Sequence, residues 1–209
     1  MKKYVVILSL AVWVSSSCSS SEKKDKSMES KNMELATFGG GCFWCTEAIF
    51  ERVDGVLGAT SGYSGGEKEN PTYDEVCSGA TGHAEVVQIE FDPDKVSYLE
   101  LLEIFIKTHD PTTLNQQGMD RGSQYRSVVL YHNQKQRDEA LDIIKELSAA
   151  KIWKDPIVTQ VEEFEKFYSA EAYHQEYFEN NSKQMYCQMV IVPKIEKFEK
   201  LFSNRMKQK

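Results

Sequence analysis

Apolar positions recur with two different periods along this chain. Residues 35–38 predict a short strand that stops at Gly39-Gly40-Gly41, and 43–53 predict a helix. Residues 62–70, with Gly62, Gly65, Gly66 and Asn70 before Pro71, predict a loop. Residues 84–91 alternate, so that Glu85, Val87, Ile89 and Phe91 share one strand face. Helical spacing of Leu101, Leu102, Phe105 and Ile106 predicts a helix over 98–107; 110–122 follow as a loop, and 126–131 as a β-branched strand. An amphipathic helix is expected over 134–149, a strand over 157–161, a short helix over 170–178, and a strand-then-helix stretch from 190 to the end. Strands and helices interleave without a repeated βαβ rhythm. The expected fold class is therefore α+β, a single two-layer α/β sandwich domain with a mixed sheet.

The first 33 residues obey a different pattern. Lys2 and Lys3 precede an apolar run over 4–14, too short to span a bilayer and the size of a secretory core segment. Ser15-Ser16-Ser17 then lead to Cys18, in the manner of a lipoprotein signal. Residues 19–33 are polar, charged and rich in Ser and Lys, which predicts a tether without a core of its own. The expected organisation is a signal peptide over 1–17, a tether over 18–33 beginning at a lipidated Cys18, and one domain over 34–209. That places the protein in the cell envelope, on the periplasmic face, held to the membrane by lipid; plain secretion and an uncleaved anchor are the alternatives. A net charge of −7 and no basic stripe exclude a nucleic-acid footprint and argue against the domain itself binding an anionic membrane.

Of the five cysteines, setting Cys18 aside leaves Cys42, Cys45, Cys77 and Cys187. In an exported protein two structural disulfides would be the plain reading. Context favours chemistry. Gly39-Gly40-Gly41 lets the backbone turn tightly, and Cys42 falls at the start of a helix, where the dipole and free N–H groups favour a thiolate, the attacking form of sulfur. Glu85 sits on the apolar face of its strand, where burial would hold a carboxyl protonated.

The segment Gly39-Gly40-Gly41-Cys42-Phe43-Trp44-Cys45 resembles the active-site signature of the A-type peptide methionine sulfoxide reductases. The resemblance continues through Ser61-Gly62-Tyr63-Ser64-Gly65-Gly66, Asn70-Pro71-Thr72-Tyr73, Glu75-Val76-Cys77-Ser78-Gly79, Thr81-Gly82-His83-Ala84-Glu85-Val86-Val87, His109-Asp110-Pro111-Thr112, residues 118–125, Ala172-Tyr173-His174-Gln175 and Tyr186-Cys187. It implies reduction of methionine S-sulfoxide, free or in peptides, for the repair of oxidised proteins. Cys42 would be the nucleophile, Glu85 the proton donor, Tyr73 and Tyr125 hydroxyl donors to the sulfoxide oxygen, and Asp120 a carboxylate of the same site. Phe43 and Trp44 would form the apolar pocket for the substrate's S-methyl group, where sulfur–aromatic contact is worth about 0.3–1.5 kcal/mol. A Cys42 sulfenic acid would be condensed by a second cysteine to a disulfide, recycled by thioredoxin or a periplasmic thioredoxin-like reductant.

Family members commonly have Gly where Cys45 stands, so Cys45 and Cys187 both remain candidates for the resolving thiol. Cys187 would lie on a C-terminal segment able to swing in, and Cys77 is expected to pack as a buried small hydrophobe. No metal or organic cofactor is implied, and a monomer is expected. Two rival readings are a general thiol–disulfide oxidoreductase using Cys42 and Cys45, and a metal-binding lipoprotein using Cys42, Cys45, Cys77 and His83; a lone C-x-x-C supports either only weakly.

Overall fold

In the computed structural model the chain divides into two units, Met1–Ser30 and Lys31–Lys209. The structure describes Met1 and residues 32–208, so the expected signal peptide, most of the tether and Cys18 lie outside the described residues. Among the described residues no helix is long and apolar enough to cross a membrane.

The second unit is built on a six-stranded mixed sheet. Its strands are β1 (Glu34–Gly40), β2 (Val56–Ser64), β3 (Ala84–Phe91), β6 (Ser127–Tyr131), β7 (Gln160–Glu163) and β8 (Phe167–Ser169), in the order β7-β6-β1-β3-β2-β8. Only β6 and β7 pair in parallel; the other neighbours are antiparallel. The helices are α1 (Phe43–Phe50), α2 (Tyr73–Cys77), α3 (Tyr98–Thr108), α4 (Gln134–Ala149), α5 (Tyr177–Asn181) and α6 (Val192–Leu201). A two-stranded hairpin, β4 (Gln116–Gln117) and β5 (Asp120–Arg121), stands apart from the sheet.

The alternation along β1 and β3 decides where the core lies. Phe38, Val87, Ile89 and Phe91 are fully buried in one cluster with Phe43, Phe50, Leu101, Phe105 and Phe198 from the helices. The opposite parity, Ala84, Val86, Val128 and Leu130, forms a smaller cluster with Phe164 and Phe167. Burying a Phe or Leu side chain is worth about 1.5–3 kcal/mol, so the larger cluster holds the helices to the sheet. Glu85 has the parity of Val87, and its side chain enters this main core.

Several expected elements are corrected. Residues 56–64 are a strand, and its last three residues fall where a loop is expected. A side chain at Gly62 would sit 2.3 Å from the Phe167 ring, so this glycine admits an aromatic cover and breaks no strand. Residues 73–77 form a short helix closed by a capping box from Thr72 and Glu75. The strand expected over 157–161 lies at Gln160–Glu163, in the register that parallel pairing with β6 sets. The expected helix over 170–178 is instead a 3-10 turn at Ala172–His174 and the start of α5 at Tyr177, interrupted at Glu176, whose φ is 50°. The strand expected from Val190 is helical: a π turn over Cys187–Ile191 runs into α6, with Pro193 in its first turn.

Candidate active site

β1 ends against the ring of Phe105, and a Cβ on Gly40 would lie 2.8 Å from it. Gly41 has φ 92°, and a side chain there would meet Gln117 at 2.5 Å. Only glycine takes this turn without strain, and the turn delivers Cys42 to the N-cap of α1 with φ −56° and ψ 123°. No side chain of the helix itself caps that end. The cap comes from the sheet: the N–H of Phe43 donates to Glu85 Oε2 at 3.0 Å. Glu85 is 1% exposed. Burial pushes its carboxyl up to about 8; the Phe43 N–H works against this, and the charges of Asp120 and Cys45 add to it. At neutral pH the group is therefore mostly a neutral acid, accepting from Phe43 on one oxygen and holding a proton to donate.

Cys42 and Cys45, one turn apart on α1, are free and buried, and their side chains are hydrogen-bonded to each other. The expectation that the helix terminus would hold Cys42 as the thiolate is reversed in the resting site. Burial pushes the Cys42 thiol up, helped by the hydrogen bond to Cys45 and by the charges of Cys45 and Glu85. The hydrogen bond from Cys42, aided by Lys194, brings Cys45 down to about 7 against burial. The pair shares one proton near neutrality, with Cys42 donating to the sulfur of Cys45. Cys187 is fully buried in the π turn, close enough to Cys45 to feel its charge. Cys77 is only partly buried, not a core thiol, and is hydrogen-bonded to the hydroxyl of Tyr73.

The remaining candidates gather around these sulfurs. Tyr73 and Tyr125 are half-buried, and burial raises both phenols further above neutrality, so they stand as O–H donors. Tyr125 interacts with Glu85, Cys42 and Asp120. Phe43 is buried behind Trp44, with their ring centres 6.3 Å apart. Trp44 is half-buried and stacked on Tyr177 at 3.6 Å with planes 5° apart. Its indole N–H donates to His174 Nδ1 at 3.1 Å, which leaves the His174 proton on Nε2. Tyr186 meets the indole edge-on at 5.7 Å and donates its hydroxyl to Asp120 Oδ2 at 2.8 Å. Glu171 ties the floor together, accepting from the Tyr73 N–H at 3.0 Å and the Tyr63 hydroxyl at 2.8 Å. His174, Tyr177, Tyr186 and Glu171 have no role that the sequence alone assigns; His174 and Tyr186 fall within the Ala172–Gln175 and Tyr186-Cys187 blocks, and Glu171 and Tyr177 lie outside them.

The rival metal set does not assemble. His83 accepts from the Gly66 N–H on Nδ1 at 3.0 Å and has Nε2 2.8 Å from the Lys68 carbonyl, so backbone occupies both ring nitrogens. What the fold brings together is a pair of cysteines at a helix terminus, a neutral carboxylic acid beside it, and an aromatic wall. Residues 34–206 match the model of the family "Peptide methionine sulfoxide reductase", and the chain belongs to that family. It is 54% identical over 175 residues, 84% of this chain and 98% of the relative, to "Peptide methionine sulfoxide reductase MsrA" of Saccharolobus solfataricus. The protein of the same name from Natronomonas pharaonis is 56% identical over 171 residues, covering 82% of this chain and 96% of that one. Among solved structures, Mxr1 from Saccharomyces cerevisiae in reduced form superposes with a TM-score of 0.68 at 35% identity, over 74% of this chain and 89% of that one. Methionine sulfoxide reductase A of Corynebacterium diphtheriae gives 0.65 at 33% identity, over 73% and 76%. The protein is a thiol-dependent methionine sulfoxide reductase.

The shared proton has a direct spectroscopic test. In the reduced protein, thiolate ultraviolet absorbance should appear with a midpoint at about 7. In Cys42→Ala, Cys45 loses its main hydrogen-bond donor, and the midpoint should move up toward or beyond the ordinary thiol value of about 8.5. An unmoved midpoint would show that Cys42 does not set it.

Proposed function

We propose that this protein reduces the S epimer of methionine sulfoxide, free and in oxidised proteins, with Cys42 as nucleophile and Glu85 as general acid. It acts as a monomer in the cell envelope, tethered by lipid on Cys18. The observation that carries the chemistry is the Phe43 N–H···Glu85 bond, which puts a neutral carboxylic acid one residue from the nucleophile. The Cys42 sulfur attacks the sulfoxide sulfur and passes its proton across the hydrogen bond to Cys45. Glu85 protonates the sulfoxide oxygen, with Tyr73 and Tyr125 donating hydrogen bonds to it. Methionine leaves and Cys42 retains the oxygen as a sulfenic acid. Phe43 and Trp44 take the S-methyl group against their rings.

Cys45 is the resolving thiol in this reading, because it already touches Cys42 while Cys187 is buried behind it. Condensation forms the Cys42–Cys45 disulfide and releases water. A thioredoxin-type dithiol then reduces the disulfide by thiol exchange. The lipid anchor is supported by the sequence pattern around Cys18 and by the domain beginning at about residue 34, after a polar stretch long enough to act as a tether.

Glu85→Gln keeps the shape and removes the proton, so the sulfoxide step should slow by roughly 10²–10⁴-fold. The acid must be protonated to act, so the wild-type step should be full below about 8 and fall as pH rises through that value. A stopped-flow single turnover that is insensitive to Glu85→Gln removes Glu85 from the mechanism. Cys42→Ser should give no methionine at all. Cys45→Ser should still give about one equivalent while leaving a sulfenic acid that dimedone traps. Mass spectrometry of the mature protein should find more than one acyl chain on Cys18, since a single chain anchors weakly; an unmodified Cys18 ends the lipoprotein reading.

A further inference from the structure

Three segments border the site, and each holds the same pair of neighbours: a residue bonded or packed within the site and, just before it, an apolar residue open to solvent. Met119 stands at the tip of the β4–β5 hairpin before Asp120, which accepts from the Tyr186 hydroxyl at 2.8 Å. Met185 precedes Tyr186, whose ring meets Trp44 edge-on at 5.7 Å. Tyr173 precedes His174, which accepts the Trp44 N–H at 3.1 Å. Met189 follows Met185 by one helical turn, and Leu114 sits at the foot of the hairpin beside Asn115, whose carbonyl accepts from the Gly122 N–H at 3.0 Å. The hairpin in turn lies against the start of the nucleophile's helix, with Gln117 packed on Gly41. Apart from the terminal Met1, these are the five most exposed large apolar side chains among the described residues: Met119 92%, Met185 77%, Met189 71%, Leu114 67% and Tyr173 62%, with the next, Ile152, at 53%. Single apolar side chains scattered over a surface are ordinary; their gathering around one site marks a place where something docks.

We propose that Met119, Met185, Met189, Leu114 and Tyr173 form a docking rim for unfolded, apolar polypeptide on either side of a methionine sulfoxide. The proposal rests on the reading that the reduction takes place at Cys42 and Glu85. The chain belongs to a family of peptide methionine sulfoxide reductases, and a sulfoxide in a peptide arrives with chain on both sides, which must pass over the bordering segments when the sulfoxide reaches Cys42. Methionine is most often a core residue, so the chain around it is commonly apolar and is presented when the substrate protein is unfolded. Three of the five rim residues are methionines. Their unbranched, polarisable side chains repack against apolar groups of many shapes, which suits a surface that must accept varied sequences. A reductant of one fixed surface makes no such demand. The rim adds no chemical step. It raises the occupancy of the site by peptide-bound sulfoxide and leaves the free amino acid, which has no flanking chain, unaffected.

The experiment follows single turnovers of prereduced full-length protein on three substrates: free methionine S-sulfoxide, a peptide with the sulfoxide between apolar residues, and the same peptide with Ser and Gly in their place. The wild type should reach half its maximal rate on the apolar peptide at about tenfold lower concentration than on the other two. In the triple variant Met119→Gln, Met185→Gln, Met189→Gln that concentration should rise about tenfold with the maximal rate unchanged, the sign of lost uniform binding. The free amino acid and the Ser/Gly peptide should react as before. The variant Met119→Leu, Met185→Leu, Met189→Leu keeps the apolar surface and should behave as the wild type. A half-saturating concentration that stays put in the Gln variant, or that moves equally for all three substrates, overturns the rim. So do intact single turnovers joined to slow repeated turnover with a thioredoxin-type reductant, which would make the surface the reductant's. If the wild type yields methionine from none of the three, the reading of Cys42 and Glu85 fails. The rim is then judged by the anisotropy of a dye-labelled apolar peptide, whose affinity the Gln substitutions should still lower about tenfold; an unchanged affinity overturns it.

Discussion

The bond from the Phe43 N–H to Glu85 ties the start of α1 to β3, and the proposed chemistry depends on that relation. A helix start has orphan N–H groups that must find acceptors. Here the acceptor is a side chain from β3, entering the core at the parity of Val87 and Ile89. A carboxyl in that place costs free energy of desolvation, which the site turns to use by keeping the group protonated. The same bond fixes the rotation of α1, and so the direction in which Cys42 leaves the glycine turn. Gly41, φ 92° and in close contact with Gln117, brings the chain to that point from the other side.

The two cysteines of α1 extend the arrangement. An isolated buried thiol would be a poor nucleophile, and Cys42 alone is pushed in that direction. Its partner one turn along makes the pair, and not the single residue, the unit that ionises. Lys194 from α6 supports the charge on Cys45, which is buried from water. The C-terminal third of the domain thus completes a site whose reactive atoms come from the first half.

Much of this was readable in the chain. The alternation over 84–91 placed Glu85 inside, and the glycine run before Cys42 marked a tight turn into a helix. The strand over 56–64 was hidden because its glycines serve packing: Gly62 makes room for Phe167, a contact 105 residues away that no local pattern reveals. The β-branched run at 190–192 suggested a strand, but packing of Ile191, Ile195 and Phe198 into the core made it helical. Tyr73 and Tyr125 stood out from ten tyrosines only through the family resemblance. Tyr177 and Tyr186 act by lying across Trp44, a relation that belongs to tertiary structure alone. The ionisation of the cysteine pair is hidden for a similar reason, since helix position is visible in sequence and depth of burial is not.

The stacking of Trp44 on Tyr177 gives the molecule an optical signal of its own. An indole lying 3.6 Å from a phenol ring, with its N–H on a histidine, has an emission set by those contacts. Trp153, the other tryptophan after residue 33, lies between α4 and β7 rather than on α1. A molecule that settles against Trp44, or a disulfide that shifts Tyr186 from its edge, alters the surroundings of one indole and leaves the other alone. Each stage of the cycle can therefore carry its own fluorescence, and the enzyme can be followed in real time without a label.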